Sequence, residues 1–398
     1  MDVYYYTGQY SHPFFREQMT NPPPGVCYIP STRKLLTTQT KAAYALAGDR
    51  WYQYVQRSKD RILDSPAFAR LGIPQIRYIR VPRCDVVYTR HLLWNRVPWI
   101  LQLEDVTALA WYRRRVLDRP WARLAIREVL SSHHCRAILG WSRASVQSME
   151  SRLDCSGFRH KMSVLYPAIR PAKFDKQTKQ ARTDVRFLFI AGGRRFYAKG
   201  GFETLLAFDK LSRKHRHVSL SVVAYVPDDV KRSFATNERV TFSYGLSHEQ
   251  MQCEYEQADV LVLPTHVDPI VTSYLEAFSY GVPCIGSALF GLPEIITQGV
   301  TGWLLKPDVS YYGDDFLPAY DAATNNQDNP FIQAVQNPPE TYVHSLMEKM
   351  EKLALDRPLR LAMSEAAFEE VVNGKFSVNR RNEALKSVLE RCVKTNSN

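Results

Sequence analysis

What these 398 residues lack narrows the field first. No run of about 18 apolar residues occurs, so no stretch reads as a membrane-spanning helix. The opening MDVYYYTGQY has no basic stretch followed by an apolar one, so it does not read as a secretory signal, and a cytoplasmic location is the expectation. The seven cysteines (Cys27, Cys84, Cys135, Cys155, Cys253, Cys284 and Cys392) are odd in number, scattered, and form no C-x-x-C pair. That argues against a disulfide framework or a zinc site, and they read as reduced thiols. G-x-G-x-x-G and G-x-x-x-x-G-K-[ST] are both missing, which counts against nicotinamide and P-loop chemistry. No aromatic RNA-binding motif, zinc knuckle or helix-turn-helix signature appears, so nucleic acid is not expected as a partner.

What is present suggests two domains. With 45% hydrophobic content the chain can build two ordinary cores. Its charge is divided: residues 1–183 carry 30 Lys/Arg against 13 Asp/Glu, whereas residues 184–398 carry 22 against 27. A first half of +17 calls for an anionic neighbour such as a phosphorylated substrate or a phospholipid surface. Four of the seven tryptophans (Trp94, Trp99, Trp111 and Trp121) cluster within one stretch of that half, WNRVPWILQLEDVTALAWYRRRVLDRPW. Arg-rich helices bearing Trp and Leu suit a membrane surface. The alternative is that Trp111 and the stretch from Leu117 to Leu124 pack inward beneath a solvated arginine face.

Along residues 1–166, short β-rich runs alternate with helix-compatible stretches: DVYYYT, GVCYIPS, DVVYTR, PWILQL, CRAILGWS and KMSVLYP. Residues 167–184 are polar and read as a linker. The alternation then restarts with VRFLFIAGG, VSLSVVAYV, VTFSYG, DVLVLPT, VPCIGS and GWLLKP. This rhythm predicts α/β architecture with two doubly wound parallel sheets. Residues 185–376 form the second domain, and a last helical segment in 377–398 is expected to cross back to the first. Residues 308–340, rich in Asn, Asp and Pro, look like a surface insertion.

Chemistry in such sheets gathers at the carboxyl ends of strands. After VRFLFIA, the turn GGRRFYAKGG places Arg194 and Lys199 beside a helix that starts near Gly201, a fitting cradle for phosphate. Taken alone, the Gly192-Gly193 pair is better explained by a tight turn. After DVLVLPT, Asp268-Pro269 reads as the N-cap and first turn of a helix reaching Tyr280 and stopped by Gly281. On that helix Asp268, Thr272 and Glu276 would share a polar stripe, with the two carboxylates roughly 12 Å apart. That spacing suits the two ends of one extended ligand. Asp268 is equally explained as a simple cap, whereas a Glu deep in an apolar segment needs a hydrogen-bonding partner if it is buried.

These motifs, in this order from about Val185 to Pro307, resemble the nucleotide-sugar domain of the retaining, family-four glycosyltransferases of the GT-B fold. GGRRFYAKGG resembles the family's G-R-x-x-x-x-K-G turn, DPIVTSYLEA its E-x7-E motif, and GVPCIGSALFGLPEIITQGVTGWLLKP its closing segments. The resemblance implies two Rossmann-like domains facing across a cleft. It implies that Gly193, Arg194 and Lys199 hold the diphosphate of a nucleotide-diphosphate sugar, and that Gly245 and Leu246 lie against the base. Glu276 would accept from the ribose hydroxyls, while Asp268 and the backbone of Val271, Thr272 and Ser273 hold the sugar and phosphate. No metal or other cofactor is implied, and Asp228-Asp229 and Asp314-Asp315 read as surface acids.

The chain departs from the family pattern at several points. Asp268 replaces the usual first Glu, Val271 replaces a Gly, and Phe290 stands where Gly is common. The first-domain His-Asp becomes Glu104-Asp105, so Glu104 either takes the catalytic position or caps the next helix, and the Gly-Gly acceptor loop is reduced to Gly8. The expected activity is metal-independent sugar transfer to a glycan, lipid-linked saccharide or other glycoconjugate, with peripheral membrane contact through the basic domain. The alternative is a catalytically silent GT-B protein that binds nucleotide-sugar or a partner.

Overall fold

The structure is a computed structural model that describes residues 1–7, 12–31, 71–172, 174–319 and 330–394. Gly8 lies outside them. All twelve predicted strands of the two sheets are present among the described residues.

The first unit gathers the described residues of 1–168, 313–319 and 378–394. Its sheet contains β1 (Asp2–Tyr6), β2 (Cys27–Pro30), β4 (Val86–Thr89), β6 (Trp99–Leu103), β7 (Cys135–Gly140) and β8 (Met162–Val164). All pairings are parallel, in the order β2-β1-β4-β6-β7-β8. Strands β4 and β6 are buried at every position, as a parallel sheet covered on both faces requires. Two short strands that periodicity did not reveal, β3 (Ile76–Arg77) and β5 (Leu92–Leu93), form a separate parallel pair. Helix Val378–Lys394 packs on β4 and β7 of this sheet, and Arg381 donates to the Asn21 carbonyl at 2.8 Å.

The second unit gathers the described residues of 169–312 and 330–377. Its strands are β9 (Val185–Ala191), β10 (Val218–Ala224), β11 (Val240–Ser243), β12 (Val260–Val262), β13 (Cys284–Ser287) and β14 (Gly302–Leu305). Their parallel order is β11-β10-β9-β12-β13-β14. The order reverses between β9 and β12, and the loops leaving those two strands meet at that switch point, where open α/β sheets take their ligands.

Two segments differ from their sequence reading. The polar stretch 167–184 contains a helix, Lys176–Ala181, capped by Asp175. Lys179 is buried there and donates to the Ala258 carbonyl at 2.8 Å, so this stretch is packed onto the second unit and is no free linker. In the supposed insertion, Tyr311, Tyr312, Leu317, Phe331 and Val335 are buried. Scattered aromatics make these contacts, which an Asn/Asp/Pro count does not register.

The tryptophan-rich stretch divides. Trp99 and Leu117 are buried, and Trp111 donates to the Ile73 carbonyl at 2.7 Å. Trp94 is 65% exposed, Trp121 55% and Leu124 56%. Neither the fully inward nor the fully outward reading describes it. All seven cysteines are free thiols.

Candidate functional site

The turn after β9 takes its path from packing. Phe196 is buried against Phe189, with ring centroids 5.9 Å apart, and fills the space where a side chain on Gly201 would stand. Gly200 holds φ of 79°, and a Cβ there would come within 2.4 Å of the Pro264 carbonyl oxygen. This turn and the loop after β12 therefore interlock through backbone, which a larger residue at 200 would forbid. Helix Gly201–Lys214 follows, and Lys199 sits at its entrance.

Asp268 lies in the interlocked loop. Its Oδ2 is 2.6 Å from Lys199 Nζ and its Oδ1 is 2.9 Å from Arg195 Nη2. Thr265 Oγ1 donates to Oδ2 at 2.5 Å. Burial pushes the Asp268 pKa up, but Lys199 and Arg195 more than offset it and hold the carboxyl below its usual range. Burial also lowers the Lys199 pKa from its ordinary value, with Asp268 opposing that effect and Arg195 adding to it.

This arrangement corrects the expected cap. Helix Thr272–Ser279 begins four residues after Asp268, its N-cap is Val271, and no side chain caps it. The carboxylate is drawn to two cations instead of the helix tip. Asp268 thus does not share a helical stripe with Thr272 and Glu276, and the 12 Å helical spacing does not apply. The N-terminus itself stays uncovered by side-chain caps, with Thr272 and Ser273 half-buried in its first turn.

Glu276 does have the partner that burial demands. Tyr255 donates its hydroxyl to Glu276 Oε2 at 2.6 Å, and Tyr255 stacks on Tyr280 at 5.6 Å. Burial raises the Glu276 pKa, with Tyr255 and His248 working against the rise. Arg194 points elsewhere: its guanidinium lies 4.8 Å from the centre of the Tyr225 ring. Tyr225 meets Tyr244 edge-on at 5.6 Å, beside exposed Gly245 and half-buried Leu246. A Cβ on Gly193 or Gly245 would meet nothing within 4 Å, so the space above both turns is open.

Sequence reasoning named Lys199, Asp268, Glu276, Arg194 and the two glycines. It missed Arg195, whose only signal was its place beside Arg194, and the exposed pair Tyr225 and Tyr244, each just beyond a strand end. In the first unit, Asp105 caps the 3-10 helix Val106–Ala110, so that role does not fall to Glu104. Glu104 instead accepts from the Tyr112 hydroxyl, and Arg90 donates to the same hydroxyl. His12, near Trp141, is held neutral by burial and by Arg90, with a pKa lowered to about 4.

Comparisons with known proteins fit this geometry. Residues 172–311 match the family described as glycosyl transferases group 1. Glycogen synthase of Mycobacterium tuberculosis is 27% identical over 151 residues, covering 37% of this chain and 36% of the relative. D-inositol 3-phosphate glycosyltransferase of Mycolicibacterium smegmatis is 32% identical over 99 residues, covering 24% and 23%. The chain thus aligns with well under half of the length of these relatives. Among solved structures, Anabaena HepE in complex with UDP superposes with a TM-score of 0.59 at 11% identity, covering 98% of this chain and 99% of that one. Sucrose-phosphate synthase from Thermosynechococcus elongatus gives 0.55 at 13% identity, covering 99% and 89%. Residues 172–311 thus resemble the group 1 glycosyl transferases, within a chain of the α/β GT-B fold.

Proposed function

We propose that this chain transfers a sugar from a nucleotide-diphosphate sugar to a saccharide or lipid-linked acceptor. The observation that carries the reading is the Lys199–Asp268–Arg195 cluster at the switch point of the second sheet. Two cations at a helix entrance are suited to the diphosphate, whose negative charge grows as the glycosidic bond breaks. They supply this stabilisation from the protein's own side chains, so the reaction is proposed to run without a metal. Asp268, released in part from its cations, would accept from a sugar hydroxyl. Glu276, oriented by Tyr255, would accept from the ribose hydroxyls, and the Tyr225–Tyr244 pair offers a face for the base. Gly193, Gly245 and Leu246 leave room for the donor, and Val271, Thr272 and Ser273 bring the helix tip to it. Retention of configuration is proposed on the family resemblance, with Glu104 assigned to the acceptor side.

A second reading, a silent donor-binding protein, draws on Asp268 being already engaged by two cations and Thr265. Incubation with a panel of UDP-, GDP- and ADP-sugars separates the two. Transfer predicts slow release of nucleoside diphosphate from one donor, reduced about a hundredfold or more in Lys199→Ala and Glu276→Gln. Binding without release favours the silent reading. If no donor shifts the melting temperature at saturating concentration, where bound ligand should add about 2.7 kcal/mol at a hundred times its Kd, both readings fail.

A further inference from the structure

The loop that carries Asp268 also holds a buried ion pair apart from the site's own cations. His266 is 3% exposed, and Glu203, in the first turn of helix Gly201–Lys214, is fully buried. His266 Nε2 lies 2.7 Å from Glu203 Oε1, and Nδ1 lies 2.7 Å from the Val309 carbonyl oxygen. With Glu203 ionised, the carboxylate and the carbonyl can only accept, so both ring nitrogens donate and the ring is an imidazolium. Burial acts to discharge the ring, but Glu203, the Val309 carbonyl and Asp308 outweigh it and raise the His266 pKa. From helix Glu340–Leu355, the Tyr342 ring faces the imidazole at 6.3 Å. The other oxygen of Glu203, Oε2, is buried with no hydrogen-bond partner among the described residues, so His266 is the group that balances this carboxylate.

The backbone of the same residue makes two further links. His266 N donates to the Ala198 carbonyl at 3.0 Å, one residue before Lys199, and its carbonyl accepts from Tyr311 N at 2.8 Å. One side chain and its peptide units thus tie together the turn after β9, helix Gly201–Lys214, the loop after β12 and the segment 309–311. A buried ion pair adds little net stability over an apolar pair of similar volume, so its contribution here is directional. We propose that Glu203 and His266 are positioning residues that fix the turn carrying Lys199 against the loop carrying Asp268, so that the two cations are set for a diphosphate before it arrives. This inference rests on the donor-binding reading above.

Two measurements test it. In protein with 15N-labelled histidine, assigned with His266→Gln, both ring nitrogens of His266 should stay protonated well above the ordinary histidine pKa of about 6.5. A neutral ring near pH 7 overturns the proposal. Calorimetric titration with UDP then compares wild type with the double variant Glu203→Gln/His266→Gln, whose amides can still hydrogen-bond and keep the fold. The variant should bind UDP about tenfold more weakly with its melting temperature little changed, and wild-type affinity in a folded variant overturns the positioning role alone. If wild type binds UDP, GDP and ADP not at all, the donor reading falls and the positioning role falls with it.

Discussion

At the scale of single residues, Asp268 is the most constrained group in the site. Its carboxylate balances Lys199, whose side chain is 13% exposed, and Arg195, whose side chain is 42% exposed. Asp268→Asn strands a nearly buried ammonium, and removing one partner of such a pair costs about 3 kcal/mol. Arg195 adds little to that figure, because solvent screens a guanidinium so exposed. Urea unfolding of the variant should show this loss near neutral pH. UDP, which brings a diphosphate and no transferable sugar, should then raise the melting temperature of Asp268→Asn more than that of wild type, because the phosphates replace the missing negative charge. A smaller UDP effect in the variant than in wild type would show that the carboxylate, and not the two cations, is the chief contact for the nucleotide.

At the scale of elements, Glu276 depends on a helix it does not belong to. Helix His248–Gln257 carries Tyr255 and starts with a reciprocal capping box: Ser247 Oγ accepts from Gln250 N, and the Gln250 side chain accepts from Ser247 N. Ser247→Ala removes one half of that exchange at an exposed site, for a loss of about 1 kcal/mol in urea titration. Because the cap is two turns from Tyr255, donor affinity should change less than twofold; a large loss of affinity would mean that the helix moves as a body against Glu276. The elements also show what the sequence could tell. Apolar runs such as PWILQL in the first sheet and VRFLFIA in the second announced their strands because buried parallel strands read as near-continuous apolar runs. The start of helix Thr272–Ser279 was misplaced because local cap chemistry argued for Asp268, while two cations about seventy residues away in sequence competed for the same carboxylate. Arg195, Tyr225 and Tyr244 were hidden for a related reason. A turn's sequence does not say which of two neighbouring arginines faces the crevice. The Glu203–His266 pair was likewise invisible until folding brought positions 203 and 266 together.

For the whole molecule, the division of charge finds a physical counterpart in the first unit. Tyr78 and Trp94 follow directly on β3 and β5, Trp94 N donates to the Arg77 carbonyl, and both rings are exposed. Trp121 and Leu124 are exposed on helix Pro120–Ser131, and the Arg119 guanidinium lies 5.4 Å from the centre of the Trp121 ring. Arg113, Arg115, Arg123 and Arg127 come from the same stretch of chain. We propose that these aromatic and leucine side chains among arginines meet an anionic phospholipid interface, where each basic residue contributes about 1 kcal/mol and the rings enter the headgroup layer. No helix among the described residues is long and apolar enough to cross a membrane. The proposed consequence is that a lipid-linked acceptor would be met at the bilayer surface. Co-sedimentation should show the protein on vesicles containing phosphatidylglycerol and not on pure phosphatidylcholine, with binding weakened by salt. Trp121→Ala/Leu124→Ala should lose most of that binding while UDP affinity, proposed to reside in the second unit, stays unchanged. Equal partition onto neutral and anionic vesicles, or none onto either at low salt, removes the membrane from this account and leaves the arginines to serve a soluble anionic acceptor.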